Sequence, residues 1–141
     1  MFPPVFLLDT NVVSELRRPR PHGAVLAWLR DVPEADLHLS VVTLGELQAG
    51  VEILRSRDAA RATEIERWLE GVSGAFNILD MDAPCFRCWA RLMHRRSGDH
   101  TLDAMIAATA IVHRLTVVTR NVKDFEPFGV QILDPFAHRR E

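Results

Sequence analysis

Acidic side chains stand at four places where a strand-like run of the sequence gives way to a turn or a helix. Asp9 ends the apolar run VFLLD, and Glu46 follows the second such run, LHLSVV. Asp103 lies early in TLDAMIAATAIVHRL, and Asp124 follows TVVTR. Because the carboxyl ends of parallel strands meet at one edge of a sheet, we expect these carboxylates to converge there. Asp103 reaches that edge through a helix start, and Asp99 just upstream is an auxiliary candidate.

Each of these acids also has a purely structural interpretation. Asp9 is a favoured residue type for a helix N-cap, and Asp124 could close a turn. Glu46 ends the sequence Thr43-Leu44-Gly45-Glu46, which fits a capping box. Asp103 would be stabilised by the positive end of a helix dipole. Taken one at a time, these acids therefore need not form a functional site.

As a group, the four carboxylates indicate a metal site. Like charges at one edge repel one another and cost stability, and no lysine or obvious arginine is interleaved to neutralise them. A divalent cation would supply the missing positive charge, and oxygen ligands suit Mg²⁺ or Mn²⁺ rather than Zn²⁺. Such an ion lowers the pKa of water, and two ions roughly 4 Å apart would hold the attacking and leaving oxygens of a phosphodiester.

Strand-like and helix-like segments alternate along the chain and must position these acids. The predicted strands are residues 5–9, 37–42, 77–81, 116–120 and 130–134, the last at a sheet edge. The predicted helices are residues 12–18, 23–32, 43–56, 58–71, 84–96 and 101–115. Gly71 is the expected end of the fourth helix, and Leu102 is expected to face inward on the sixth. This alternation predicts an α/β protein with a parallel sheet covered on both faces.

Composition indicates one ordinary globular domain over residues 1–141. The chain is 48% hydrophobic and 26% charged, and its formal net charge of −2 gives no global attraction to nucleic acid. No apolar run approaches the roughly 18 residues of a membrane span, and the start MFPPVF lacks a basic signal-like region. We therefore expect a cytoplasmic protein with no membrane partner.

The basic residues and the cysteines permit two interpretations each. Lys123 is the only lysine, so nearly all basic side chains are arginines, which bind phosphate through a bidentate fork. Arg17, Arg18 and Arg20 follow Asp9 closely and could face a phosphate, although a general preference for arginine explains the bias equally well. The CxxC sequence at residues 85–88 could be redox-active or half of a zinc site. Because it lies in a helix-like run without a second pair, core packing is the favoured interpretation.

Four blocks in this order resemble the PIN-domain ribonucleases, and in particular the VapC-type toxins of bacterial toxin–antitoxin pairs. The resemblance covers about residues 5–134. The blocks are LLDTN at residues 7–11, TLGEL at 43–47, DAMIAATA at 103–110 and TRNVKDF at 119–125. It implies a three-layer α/β/α sandwich with a central parallel sheet of about five strands. It also implies Mg²⁺- or Mn²⁺-dependent hydrolysis of single-stranded RNA, often tRNA.

The same resemblance assigns roles to individual residues. Asp9, Glu46 and Asp103 match the first three family acids, with Asp9 and Asp103 as metal ligands and Glu46 binding or orienting the water held by the metal. The fourth acid is Asp124, or its place is taken by Asn121 through its amide oxygen. Whether one or two ions bind stays open. Supporting hydrogen bonds are assigned to Thr10, Asn11 and Thr119.

Partners also follow from the resemblance. Such toxins usually form homodimers, and each is inhibited by a cognate antitoxin whose C-terminal segment pushes an arginine toward the acids. Helices 23–32 and 43–56 could receive this segment through exposed apolar residues such as Trp28 and Leu54, unless those side chains belong to the core.

Two other functions are compatible with parts of the sequence. A receiver-like or phosphatase-like domain would be phosphorylated on an aspartate, but Asp9 lacks a second acid beside it and Lys123 is weak support. A dehalogenase-type phosphatase would need aspartate where Asn11 stands. A catalytically idle PIN-like module would only bind RNA, DNA or a protein, although its acids are intact. The sequence does not name the RNA target.

Overall fold

A parallel five-stranded sheet forms the centre of the protein, whose computed structural model describes residues 4–138. The strands are β1 (Phe6–Leu8), β2 (Leu37–Ser40), β3 (Asn77–Leu79), β4 (Thr116–Val118) and β5 (Ile132–Leu133). The helices are α1 (Thr10–Glu15), α2 (Gly23–Asp31), α3 (Val41–Arg55), α4 (Ala59–Ala75), α5 (Ala83–Met93), α6 (Thr101–His113) and α7 (Val122–Phe125). Short 3-10 helices span Glu34–Asp36, Gly98–His100, Glu126–Phe128 and Pro135–Ala137. The ends of the predicted domain, residues 1–3 and 139–141, lie outside the described residues.

The strand order is β3-β2-β1-β4-β5, with every neighbouring pair parallel. β1 is therefore central, and Leu7 lies between its register partners His38 of β2 and Val117 of β4. The predicted parallel sheet of about five strands and the edge position of β5 are confirmed. The order differs from the 2-1-3-4-5 arrangement of receiver-like folds, which argues against that alternative.

Two hydrophobic cores cover the two faces of the sheet. Phe6 and Leu8 point to one face, where they pack with helices α1 and α2. Leu7 points to the other face and packs against α6, whose buried alanines allow the helix to approach the sheet closely. This alternation along one strand is the pleat of a sheet buried on both sides. The α/β/α sandwich expected from the sequence is confirmed.

Several element ends differ from the prediction. α3 begins at Val41 rather than at residue 43, because the Ser40 hydroxyl accepts a hydrogen bond from the Val42 amide and caps the helix two residues early. The β-branched pair Val41-Val42 resembles a strand in sequence but lies in the helix. α4 continues through Gly71 to Ala75, so the expected end at Gly71 is wrong, and α1 covers Thr10–Glu15 rather than 12–18.

Two apolar side chains can be compared with the sequence analysis, which expected Leu102 to face inward and left the placement of Trp28 open. Leu102 is 46% exposed, so the expectation that it faces inward is wrong. Trp28 is buried and packs edge-to-face on Phe6 at 5.0 Å between ring centroids, so it belongs to the core and not to a docking surface. Within residues 4–138, no helix is both long and apolar enough to cross a membrane.

Candidate active site

Asp9 is the buried centre of the site. It follows the last residue of β1, and its amide still donates to the Val118 carbonyl of β4 at 2.9 Å, so the sheet fixes its backbone. It also occupies the N-cap position of α1, where Oδ1 accepts the Thr10 amide at 2.8 Å. Helix capping and a site role are thus compatible here. Burial raises the pKa of Asp9 above its ordinary value, the charge of Asp124 adds to this, and the hydrogen bonds oppose it.

A network of side chains holds the second carboxylate oxygen of Asp9. Oδ2 accepts from the Thr119 hydroxyl at 2.8 Å and from the Asn11 amide nitrogen at 3.0 Å. The Thr119 oxygen in turn accepts from Asn11 Nδ2 at 3.2 Å and from the Asn121 amide at 3.0 Å. Asn11 Oδ1 accepts the Arg120 amide at 3.2 Å, which ties the turn after β1 to the turn after β4. The Asp9 side chain therefore has a single, well-supported orientation.

Glu46 reaches the same place from α3. Because this helix starts at Val41, Glu46 lies in its second turn rather than the first, and the alternative interpretation of Thr43–Glu46 as a capping box is wrong. The carboxylate is half-buried and accepts a hydrogen bond from the Thr10 hydroxyl at 3.0 Å. The buried Thr43 hydroxyl lies 3.3 Å from the Thr10 hydroxyl. Burial raises the pKa of Glu46, as does the charge of Asp9, while the Thr10 hydrogen bond lowers it.

Asp103 enters the cluster from the first turn of α6, as the sequence predicts. Burial raises its pKa to about 6, with further contributions from the negative charges of Asp9, Asp124 and Glu46. Only the charge of His100 acts in the opposite direction. The charges of the other three acids therefore act on Asp103, although 94 residues of sequence separate it from Asp9. Within residues 4–138, no three of these acids bring carboxylate oxygens within 4.8 Å of one another, so a shared ion would draw them closer together.

Asp124 lies on α7, a one-turn helix that the sequence analysis did not predict. Its side chain is exposed, and its charge raises the pKa of both Asp9 and Asp103. Asn121 stands at the N-cap of the same helix, also exposed, and its amide donates to Thr119. Both candidates for the fourth position therefore border the cluster. The charge coupling favours Asp124 as the residue that adds to its electrostatics.

The donor set of this cluster fits a hard divalent cation. All four acids offer oxygen, and within residues 4–138 none of them forms an ion pair with arginine, lysine or histidine. Burial and neighbouring negative charge raise the pKa values of Asp9, Glu46 and Asp103, and a bound cation would offset both effects. Mg²⁺ and Mn²⁺ prefer such ligands. Asp99, the suggested auxiliary, is exposed and has no part in this coupling.

Cavities open on two sides of the acids. One, of about 450 Å³, includes Thr10 and Glu46 together with Arg17, Arg61 and the half-buried Leu54. The other, of about 410 Å³, is lined by residues 120–124 and Asp134. Glu46 thus lines one cleft and Asp124 the other, and each cleft has two basic side chains in its wall.

Sequence reasoning overlooked two contributors to the site. His100 ends the 3-10 helix before α6, and its charge lowers the pKa of Asp103, whereas the sequence analysis placed no histidine near the acids. Thr43 was considered only as a cap, yet its buried hydroxyl supports Thr10. Two sequence signals would have identified these residues. His100 is a polar residue directly before the predicted helix of Asp103, and Thr43 lies one turn before Glu46.

The cysteine pair lies apart from the acids. Cys85 and Cys88 are free and buried on α5, consistent with core packing. Burial and a hydrogen bond to Asp82 raise the pKa of the Cys85 thiol, so it is not an activated nucleophile.

Comparisons with known proteins place the chain among close relatives. The PIN domain family matches residues 6–127. The chain is 34% identical over 139 residues to the VapC ribonuclease Y4jK of Sinorhizobium fredii, covering 94% of this chain and 98% of that protein. In the crystal structure of FitAcB from Neisseria gonorrhoeae, one chain is 34% identical with a TM-score of 0.83, covering 94% of this chain and 99% of that one. A chain of the toxin–antitoxin complex from Klebsiella pneumoniae is 26% identical with a TM-score of 0.68, covering 92% and 96%.

Proposed function

Because this chain belongs to the PIN-domain family, we propose that it is a metal-dependent endoribonuclease that acts as the toxin of a toxin–antitoxin pair. The observation that supports this most directly is the four-acid cluster, in which burial, together with the charges of Asp9, Asp124 and Glu46, raises the pKa of Asp103 to about 6. Acids are kept together at such a cost where a bound cation offsets their repulsion. The ribonuclease name of the Sinorhizobium relative supports RNA as the substrate.

The residues of the cluster have distinct parts in the proposed reaction. Asp9 and Asp103 would hold Mg²⁺ or Mn²⁺, which would lower the pKa of water and stabilise negative charge on the phosphate. Thr119 and Asn11 keep the Asp9 carboxylate in one orientation through hydrogen bonds of 2.8 and 3.0 Å. Such supporting contacts typically change metal affinity or activity by about 10–100-fold.

Glu46 is placed to act on the attacking water. Its Oε1 is held by the Thr10 hydroxyl at 3.0 Å, so the other oxygen is available to orient the water or to accept its proton. Burial and the charge of Asp9 raise its pKa in the metal-free protein, and a bound cation would lower it again, so the placement of Glu46 supports this role. The nearby Asp124 adds negative charge at the rim and is the preferred fourth acid, with Asn121 as the alternative ligand.

Single-stranded RNA would lie across the acids from one cavity to the other. Arg17 and Arg61 are exposed in the first cavity, and within residues 4–138 neither forms an ion pair. Arg120 and Lys123 line the second, where the Arg120 guanidinium lies over the Phe136 ring at 4.5 Å. Basic side chains in both cavities would bind the phosphates that flank the cleaved bond. This local positive charge would attract RNA although the net charge of the chain is −2.

A cognate antitoxin would occupy the first cavity. This groove combines the apolar Leu47, Leu54 and Ile65 with a direct opening to Glu46, so a peptide with apolar anchors could direct a cationic side chain to the acids. A guanidinium there would take the place of the metal charge. The Klebsiella complex supports a protein inhibitor. We extend the proposal to a homodimer that acts in the cytoplasm.

The test is cleavage of single-stranded RNA by the purified protein with Mg²⁺ or Mn²⁺ and with a chelator. We expect cleavage that depends on the ion and is lost in the double variant Glu46→Gln, Asp103→Asn. The matched control is Asp99→Asn, an exposed acid outside the cluster, which should cleave like the parent protein.

Three outcomes would refute parts of this proposal. Cleavage that survives the chelator would remove the metal from the mechanism, and cleavage that survives the double variant would show that Glu46 and Asp103 do not carry the reaction. An intact, metal-loaded protein that binds RNA without cutting it would instead be the idle module. In cells, expression should arrest growth, and co-expression of a small protein encoded directly upstream should restore it.

A further inference from the structure

A second group of metal-ligating side chains lies where helix α5 begins and helix α6 ends. Asp82 is the N-cap of α5, Cys85 is the third residue of that helix, and His113 is the last residue of α6. One ligand atom from each of these residues lies within 4.8 Å of the others. The two helices therefore bring together a carboxylate, a thiol and an imidazole from distant parts of the chain.

The local structure already holds two of the three groups in position. The Asp82 Oδ1 atom accepts the Cys85 amide at 3.2 Å, which fixes the carboxylate over the first turn of α5. Cys85 is fully buried, whereas Asp82 and His113 are exposed. A metal ion could enter from solvent between the two exposed side chains and reach the sulfur beneath them.

We propose that Asp82, Cys85 and His113 form a second metal site, which binds Zn²⁺ and joins α5 to α6. A sulfur, a nitrogen and an oxygen ligand form the donor set that Zn²⁺ accepts in tetrahedral sites. Ligand atoms around such an ion lie roughly 3.5 Å apart, given metal–ligand distances of about 2.0–2.3 Å. The present separations of up to 4.8 Å would have to shorten to that value, chiefly through movement of the exposed His113 side chain, and water would complete the shell.

This site is distinct from the four-acid cluster. His113 lies ten residues after Asp103 on α6, which at 1.5 Å per residue places their backbones about 15 Å apart. The four-acid cluster offers only oxygen ligands, which suit Mg²⁺ or Mn²⁺, while the second group contains the sulfur that selects Zn²⁺. Zn²⁺ at this place would connect two helices of one layer and stabilise the fold without entering the reaction.

Titration of the metal-free protein with Co²⁺ tests the proposal independently of ribonuclease activity. Co²⁺ replaces Zn²⁺ in such sites, and a thiolate ligand gives a charge-transfer absorption band that oxygen ligands cannot produce. We expect one equivalent of Co²⁺ to give this band, Zn²⁺ to abolish it and excess Mg²⁺ to leave it unchanged. Zn²⁺ at about 100 times its dissociation constant should raise the Tm by roughly 5–10 °C.

Three variants decide the assignment. His113→Gln changes an exposed residue and should fold normally, yet lose both the band and the stabilisation by Zn²⁺. Cys85→Ser should lose the band, and Cys88→Ser, which changes the other buried cysteine of α5, should keep it. The proposal is overturned if the parent protein gives no thiolate band at saturating Co²⁺, if His113→Gln gives an unchanged band, or if Cys88→Ser loses it. In those cases Asp82 is a helix cap and nothing more.

Discussion

Replacing Asp103 by asparagine should stabilise the metal-free protein at neutral pH. Asp103 is half-buried, and its pKa is raised from 3.8 to about 6 by burial and by the charges of Asp9, Asp124 and Glu46. The folded state therefore binds the Asp103 proton more tightly than the unfolded chain does. Ionised Asp103 therefore lowers the free energy of unfolding. This loss is absent below about pH 4, grows between about pH 4 and 6, and is complete above about pH 6.

The size of this effect follows from the pKa difference. A difference of about 2 in pKa corresponds to roughly 3 kcal/mol at 1.36 kcal/mol for each unit. Because Asp103 retains contact with water, solvent screening reduces this to about 1–1.5 kcal/mol. For a chain of this size that is a rise in Tm of about 3–5 °C. Asparagine has nearly the same shape, so the change removes the charge without leaving a cavity.

The assay is thermal or urea unfolding with a chelator, at about pH 8 and again at about pH 4.5. Asp103→Asn should be more stable than the parent at the higher pH and nearly equal to it at the lower pH. The exposed Asp99→Asn is the control and should show no difference at either pH. If Asp103→Asn is equally or less stable than the parent at about pH 8, the carboxylates do not repel one another as described, and the electrostatic argument for a metal fails.

Further variants test the supporting residues and the core. Thr119→Val removes a donor to Asp9 and should weaken Mn²⁺ binding about 10–100-fold in a direct titration, and an unchanged affinity would show that the donor is dispensable. Asp124→Asn should lower the rate of RNA cleavage at least about tenfold, and more than Asn121→Ala does, whereas the reverse order would make Asn121 the fourth ligand. Trp28→Ala should cost about 3–5 kcal/mol in urea unfolding because it empties a core site against the sheet. The exposed Leu102→Ala should stay within about 0.5 kcal/mol, and a similar loss in both variants would contradict the assignment of Trp28 to the core.

The sheet and the convergence of the acids were predictable from the sequence because both depend on short-range patterns. Apolar runs such as VFLLD mark strands buried on both faces, and their alternation with helical segments allows few arrangements other than a parallel sheet. In such a sheet, the residue after a strand lies at the edge where the other strands also end. Asp9 therefore had a predictable place, as did Asp103 in the first turn of its helix.

What could not be predicted depends on contacts between distant segments. Val41 and Val42 have strand propensity, and they become helical through the Ser40 cap and the packing of Val42 against the core formed by Leu7 and α6. α7 has four residues, too few to show a helical period, so the position of Asp124 was read from its neighbours along the chain. The sequence pattern of the helix around Trp28 is the same for a core residue and for a residue that contacts a partner. Only the contact with Phe6 shows that Trp28 belongs to the core.

The proposal that Asp9 and Asp103 hold the catalytic metal can be tested in crystals soaked with Mn²⁺, in which anomalous scattering locates the ion. We predict a peak between Asp9 and Asp103, with carboxylate oxygens of both within roughly 2.1 Å of the ion, and no such peak in Asp9→Asn crystals grown alike. Saturating Mn²⁺ that supports RNA cleavage while this position stays empty would contradict the claim that these acids assemble to hold the catalytic metal.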